Sequence, residues 1–148
     1  MKDNGDEYVR GPMLWGDNTV TAYTDKIDKG VASSINSVVE QQNDESSLLN
    51  VYIRFAKLRN TYPSLAEGKM SKHGIYNAGK TIAAWYMTKD TEKMLVIHNF
   101  GVSATEITLT DKIEKAVGVN GDIQQKKDGD DIMVKMGAYS TVVFKISQ

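Results

Sequence analysis

The 148-residue chain has no cysteine, two prolines, two histidines and two tryptophans. Without cysteine there can be no disulfide, no thiolate-held zinc or iron–sulfur cluster and no thiol nucleophile. An excess of one charge sign is also missing. Eighteen Lys and Arg stand against nineteen Asp and Glu, a net charge of −1. No global field exists to hold nucleic acid or an anionic membrane, so neither is expected as a partner. No apolar run approaches the roughly 18 residues of a membrane-spanning helix, and residues 1–7 have no apolar stretch of the kind a secretion signal carries. Phosphate loops of the Gly-x-x-x-x-Gly-Lys and Gly-x-Gly-x-x-Gly types and the Gly-x-Ser-x-Gly nucleophile elbow are absent too. What remains is 41% hydrophobic and 25% charged, an ordinary globular composition with enough chain for one domain and a real core.

The chain divides into three parts. Residues 1–44 hold four Lys or Arg against eight Asp or Glu, and their apolar residues are scattered without a period of 2 or 3.6. This stretch is expected to be irregular and mobile, since few buried contacts would hold it. Residues 45–62 carry the clearest helix signal. Leu48, Val51, Phe55, Leu58 and Tyr62 recur at spacings of three and four on one helical face. Leu49, Tyr52, Ile53 and Ala56 widen the apolar surface, so this helix wants partners on two sides. Asn43 and Asp44 offer an N-cap oxygen, and Pro63 ends the helix because the residue before proline is pushed out of the helical region.

Residues 64–148 read as strands and turns. A first strand is expected within 69–76, followed by 82–87, a central 93–100, an alternating 105–110 with Ile107 and Leu109 inward, then 114–119, 123–126, 132–136 and 141–146. Asn120-Gly121 reads as a type I′ hairpin turn joining two of these strands. With no helices between them the strands should pair antiparallel. The predicted class is mainly β: an antiparallel sandwich of about seven to eight strands behind one helix and a long irregular N-terminal segment.

Candidate chemistry is sparse. His73 and His98 are the two histidines, and nothing in their spacing suggests a metal site. Asp128-Gly129-Asp130-Asp131 looks superficially like a calcium loop, but it lacks the 12-residue pattern with its closing Glu and reads as a solvated hairpin turn. Trp15, Tyr76, Trp85, Tyr86 and Tyr139 could form a sugar-stacking platform or pack in a core. Trp85 and Tyr86 are neighbours on a strand and must face opposite sides. No catalytic residue and no metal ligand is assigned.

A resemblance adds to this reading. Arg10-Gly11-Pro12-Met13-Leu14-Trp15 looks like the Arg-x-Pro-Met-x-Trp stretch of the α-amylase family, glycoside hydrolase family 13. Residues 47–65, with Arg54-Phe55-Ala56-Lys57-Leu58-Arg59 and Pro63-Ser64-Leu65, are similar to that family's last barrel helix. Residues 82–86, 95–100 and 137–143 resemble its C-terminal β-sandwich domain. The pieces occur in the family's order along nearly the whole chain, and among subfamilies they look most like the α-amylases of gut-bacterial starch-utilisation systems. The resemblance implies that 1–44 is the loop after the last strand of a (β/α)₈ barrel, 45–62 the last barrel helix and 64–148 the C-terminal sandwich domain. It also implies that the catalytic Asp, Glu and Asp lie outside this chain, leaving it inactive alone, since retaining hydrolysis of α-1,4-glucosidic bonds needs a carboxylate pair. The implied partners are the barrel of the same polypeptide and, for the whole enzyme, α-glucan. No cofactor is implied for this chain, although a calcium ion is possible in the barrel. The implied location is the outer cell surface as a lipoprotein, or secretion. Arg10 and Trp15 would approach outer sugar subsites of the whole enzyme. Two competing readings are a self-standing α-glucan-binding module that stacks sugar on Trp85 or Tyr86, and an unrelated hydrolase with cryptic acids.

Overall fold

The computed structural model describes residues 13–16, 19–20 and 36–147, with only the backbone of Thr19 and Val20. Arg10 and most of the 1–44 stretch expected to be mobile lie outside the described residues. The chain forms two compact units, residues 1–53 and 54–148.

In the first unit, β1 (Leu14–Gly16) pairs antiparallel with β2 (Thr19–Val20), and α1 spans Val38–Asn43. Part of the stretch read as irregular is therefore regular. The reason is local: Ser37 and Glu40 make a reciprocal capping box, with Glu40 N–H donating to Ser37 Oγ at 3.2 Å and Ser37 N–H to the Glu40 carboxylate at 2.6 Å. The second helix, α2, runs Leu48–Thr61. Its cap is Ser47, whose Oγ accepts from Asn50 N–H at 3.2 Å, rather than Asn43 or Asp44. Asp44 instead accepts from both the N–H and the hydroxyl of Ser46, so it closes the turn between the helices. The Asn50 amide reaches back to the carbonyls of Gln41, Gln42 and Asp44 and satisfies the orphan acceptors at the end of α1.

In the second unit, α2 stops where Pro63 predicts. Tyr62 is extended at φ −115° and ψ 104°, and Pro63 opens a short α3 (Pro63–Glu67) at its first position, where its missing N–H costs nothing. Eight strands follow: β3 (Lys69–Lys72), β4 (Ile82–Lys89), β5 (Glu92–Asn99), β6 (Thr105–Leu109), β7 (Ile113–Asn120), β8 (Ile123–Asp128), β9 (Asp131–Met136) and β10 (Ser140–Ile146). They form two antiparallel sheets in the orders β3-β4-β5-β10-β7 and β6-β9-β8, the predicted sandwich, with β5 central.

Strand parity sets the core. Ile82, Ala84, Leu95, Ile97, Val142 and Phe144 of the larger sheet meet Ile107, Leu109, Val134 and Met136 of the smaller one, all buried. The other face of the larger sheet holds a second cluster. There Met94, Val96 and Val143 take up Phe55, Leu58, Tyr62 and Leu65 from the helical side, with Trp85, Met87 and Val117 alongside.

The Asn120-Gly121 turn is not the expected hairpin. It carries the chain from β7 in one sheet to β8 in the other. Gly121 lies at φ +83°, but Asn120 is not in the left-handed region, which a type I′ turn requires of both central residues. Gly129-Asp130 does close a hairpin, between the paired Asp128 and Asp131, with Gly129 at φ +63°.

Candidate functional site

Three arrangements in the second unit gather the side chains capable of chemistry or recognition. The first is an aromatic row on the helix-bearing face of the larger sheet. Val96, His98 and, just past the strand end, Phe100 continue one side of β5, while Trp85 projects to the same side from β4. Trp85 lies 5.1 Å from His98, tilted by 37°, and His98 lies 5.5 Å from Phe100, stacked at 29°. His98 Nδ1 bonds the Thr141 hydroxyl at 2.7 Å. Burial pushes the His98 imidazole below its ordinary pKa, so it is neutral near pH 7 and behaves as an aromatic and a hydrogen-bonding group rather than a cation.

The second arrangement is a polar cluster on the opposite side of β4. Tyr86 OH donates to Asp111 Oδ1 at 2.6 Å, and His73 Nε2 lies 2.8 Å from Asp111 Oδ2. The backbone N–H of Ile75 donates to His73 Nδ1 at 3.0 Å. That bond assigns the proton to Nε2, so the imidazole donates to the carboxylate. Burial pushes the Asp111 carboxyl up, yet the bonds from Tyr86 and His73 outweigh it and hold the group below its ordinary value. The Tyr86 phenol is raised, first by burial and then by the carboxylate it bonds. The Lys93 ammonium sits 3.6 Å from the centre of the Tyr86 ring, a cation–π contact. The side chains of His73 and Asp111 are only 9% exposed. Both carboxylate oxygens are engaged by the protein, so the cluster staples β4 to the segments after β3 and β6.

The third is a groove of about 410 Å³ between the C-terminal half of α2 and β7. Phe55, Leu58, Val117 and Val119 line it, and Arg54 and Lys57 supply cationic groups.

The residues singled out from sequence are placed unevenly. Arg10 lies outside the described residues. Trp15 is in β1 of the first unit, 51% exposed. Trp85 is half-buried in the aromatic row. Tyr86 faces the other way, as strand parity requires, and its hydroxyl is spent on Asp111, so it joins no platform with Trp85. The grouping of Trp85 with His98 and Phe100 was not drawn from sequence, although the i, i+2 spacing of His98 and Phe100 is a same-face signal. His73, whose spacing suggests no metal site, meets an acid 38 positions along the chain. Among the described residues no three His, Asp or Glu converge as metal ligands. Asp128 and Asp131 are paired across the β8–β9 hairpin.

Comparison with known proteins follows the same lines. Residues 82–143 match the family described as the α-amylase SusG C-terminal domain. The chain is 58% identical over 150 residues to α-amylase SusG of Bacteroides thetaiotaomicron, a match covering 98% of this chain and 22% of that protein. α-Amylase 3 of Dictyoglomus thermophilum is 26% identical over 160 residues, 95% of this chain and 28% of its own length. Among solved structures, an α-amylase from H. orenii superimposes with a TM-score of 0.78 at 24% identity, covering 95% of this chain and 29% of that one. An isomaltulose synthase variant from Erwinia rhapontici gives 0.72 at 22% identity, covering 92% and 25%.

The sandwich is thus a C-terminal β domain of the α-amylase type. Residues 82–143 are similar to the SusG α-amylase C-terminal domain family, and the chain as a whole is similar to one stretch of that longer α-amylase. It spans less than a third of the length of each of these relatives.

Proposed function

We propose that this chain is the C-terminal part of a starch-degrading α-amylase and serves it without catalysing, by covering and bracing a (β/α)₈ barrel formed by the rest of the polypeptide. The observation that carries this reading is the 58% identity along 98% of the chain to one stretch of a much longer α-amylase. The enzyme as a whole hydrolyses α-1,4-glucosidic bonds with retention, using a carboxylate pair supplied by the barrel. Any calcium ion belongs to the barrel as well. The enzyme acts outside the cell, at the surface or secreted. No helix among the described residues is long and apolar enough to cross a membrane.

The helix supports a bracing role. Leu48 and Tyr52, four residues apart on α2, are 80% and 74% exposed, an apolar stripe separate from the Phe55 and Leu58 positions that pack on the sheet. Large apolar side chains exposed side by side on one helix face suit a surface that a partner covers.

The test compares the longer amylase with a version lacking residues 45–148. Removal is expected to lower the melting temperature and to reduce starch hydrolysis, while the chain by itself releases no chromophore from a chromogenic maltoside. Hydrolysis of that maltoside by this chain alone, or an unchanged melting temperature after its removal, overturns the reading.

A further inference from the structure

Two neighbouring turns of the sandwich present large side chains to water. Phe100 and Val102, in the turn after β5, are 64% and 78% exposed, and Tyr139, in the turn before β10, is 65% exposed. The turns beneath them are locked together. Tyr139 N–H donates to the Gly101 carbonyl at 3.2 Å, and Phe100 N–H to the Thr81 carbonyl at 2.9 Å. The buried Asn99 amide donates to the carbonyls of Ser103 at 2.9 Å and Gly137 at 2.8 Å, and its Oδ1 accepts from Gly101 N–H at 2.9 Å. Tyr139 is held at φ +52°, a left-handed conformation that a bulky residue rarely adopts. Glycine would make this turn without strain. Backbone strain at an exposed aromatic points to a role for its side chain.

We infer that Phe100, Val102 and Tyr139 form a docking surface for an apolar, uncharged patch on the part of the amylase polypeptide outside this chain. The inference rests on the bracing role proposed above and names one surface for it. Two observations identify the occupant. More than three quarters of the SusG relative lies outside the matched stretch, so a large covalently attached protein surface is at hand. The patch also continues a contact already made. Phe100 stacks on His98, His98 lies against Trp85, and Trp85 packs in the cluster that receives Phe55, Leu58 and Tyr62. The aromatic run therefore leads from the helix-covered part of the sheet face to the exposed Phe100. A sugar chain suits the patch less well. Sugar sites combine an aromatic face with convergent polar groups, but here the polar groups turn inward. Asn99 is spent on backbone, Ser140 Oγ on the Gly137 carbonyl and His98 Nδ1 on Thr141.

The experiment is hydroxyl-radical footprinting of the longer amylase and of this chain expressed alone. Fully buried Phe144 serves as the folding control and stays protected in both. Oxidation of Phe100 and Tyr139 is expected to fall about fivefold or more in the longer enzyme, as for side chains taken into the dry centre of an interface. Equal oxidation in the two proteins overturns the inference. So does protection that arises only at raised protein concentration, which would mean a second copy, or only with added maltoheptaose, which would mean a glucan site. A second variant checks the sign. Tyr139→Gly is expected to leave the melting temperature of this chain unchanged or raised and to lower that of the longer enzyme; a rise in both overturns the inference. If removal of residues 45–148 destabilises the amylase while Phe100 and Tyr139 are as oxidised in the intact enzyme as in this chain alone, this surface is wrong and the bracing role stands. If removal changes nothing, the bracing role itself fails.

Discussion

Leu58 of α2 rests on the bare backbone of Gly118 in β7: a β-carbon built on Gly118 would lie 2.6 Å from Leu58 Cδ2. The strand yields space so that the helix can approach the sheet. Gly118→Val is expected to destabilise the chain by about 1–3 kcal/mol through overpacking, read as a lower urea midpoint with an unchanged slope. The same substitution in a Leu58→Ala background should cost clearly less than in the native background, because the clash is gone. Equal costs in both backgrounds would show that the contact carries no energy.

Phe55 lies one turn earlier, half-buried in the same cluster. A fully buried phenylalanine truncated to alanine costs about 3–5 kcal/mol. Part of this ring faces the open groove, so Phe55→Ala should cost about 2 kcal/mol. A loss near zero by denaturant titration would mean that the helix is not held by this face.

Asn99 is 1% exposed, and its side chain bonds the carbonyls of Ser103 and Gly137 and the Gly101 N–H. Asn99→Leu removes the partner of the buried Gly101 N–H and of the part-buried Ser103 and Gly137 carbonyls, and a buried group left unpaired costs about 1–3 kcal/mol. The expected outcome is a loss of about 2–4 kcal/mol and faster amide exchange at Gly101 and Tyr139. Unchanged exchange there would show that the turns do not depend on the amide.

Asp111 titrates below its ordinary value because Tyr86 and His73 bond the ionised form. Its contribution to stability is fully present above the unfolded-state value near pH 3.9 and is lost as pH falls through the lower folded-state value. Asp111→Asn should be less stable than the native chain at pH 7, and the gap should narrow on acidification toward pH 2. A gap constant with pH, followed by thermal melting, would rule out the linkage.

His98 shifts in the same direction for a different reason: burial disfavours its charged form. Between the unfolded-state value near 6.5 and the lower folded-state value the unfolded chain binds more protons, so stability declines as pH drops below about 6.5. His98→Phe keeps the stack between Trp85 and Phe100 and removes the titration. Its melting temperature should vary less than that of the native chain between pH 7 and 5. Identical slopes would place the titration elsewhere.

Most of the architecture was legible because it is written in short-range periodicity. Ile107 and Leu109, and Val142, Phe144 and Ile146, alternate inward as read, and the three- and four-residue spacing to Tyr62, stopped by Pro63, defines the second helix. The capping box of Ser37 and Glu40 is equally local, a Ser-x-x-Glu pattern with no apolar period after it to mark a helix. The opposite facing of Trp85 and Tyr86 followed from strand parity alone.

Which strands pair was not written locally. Asn120-Gly121 has hairpin chemistry, but a hairpin forms only if the strands on either side prefer each other. Here β7 bonds β10 and β8 bonds β9, so the same turn changes sheets. The meeting of His73 with Asp111, the row from Trp85 to Phe100 and the seat for Leu58 on Gly118 likewise exist only once distant strands are in register. Side-chain direction along a strand is fixed by the backbone of a few residues. Neighbours across strands are fixed by which buried surfaces the whole chain brings together, and only the folded sandwich settles that.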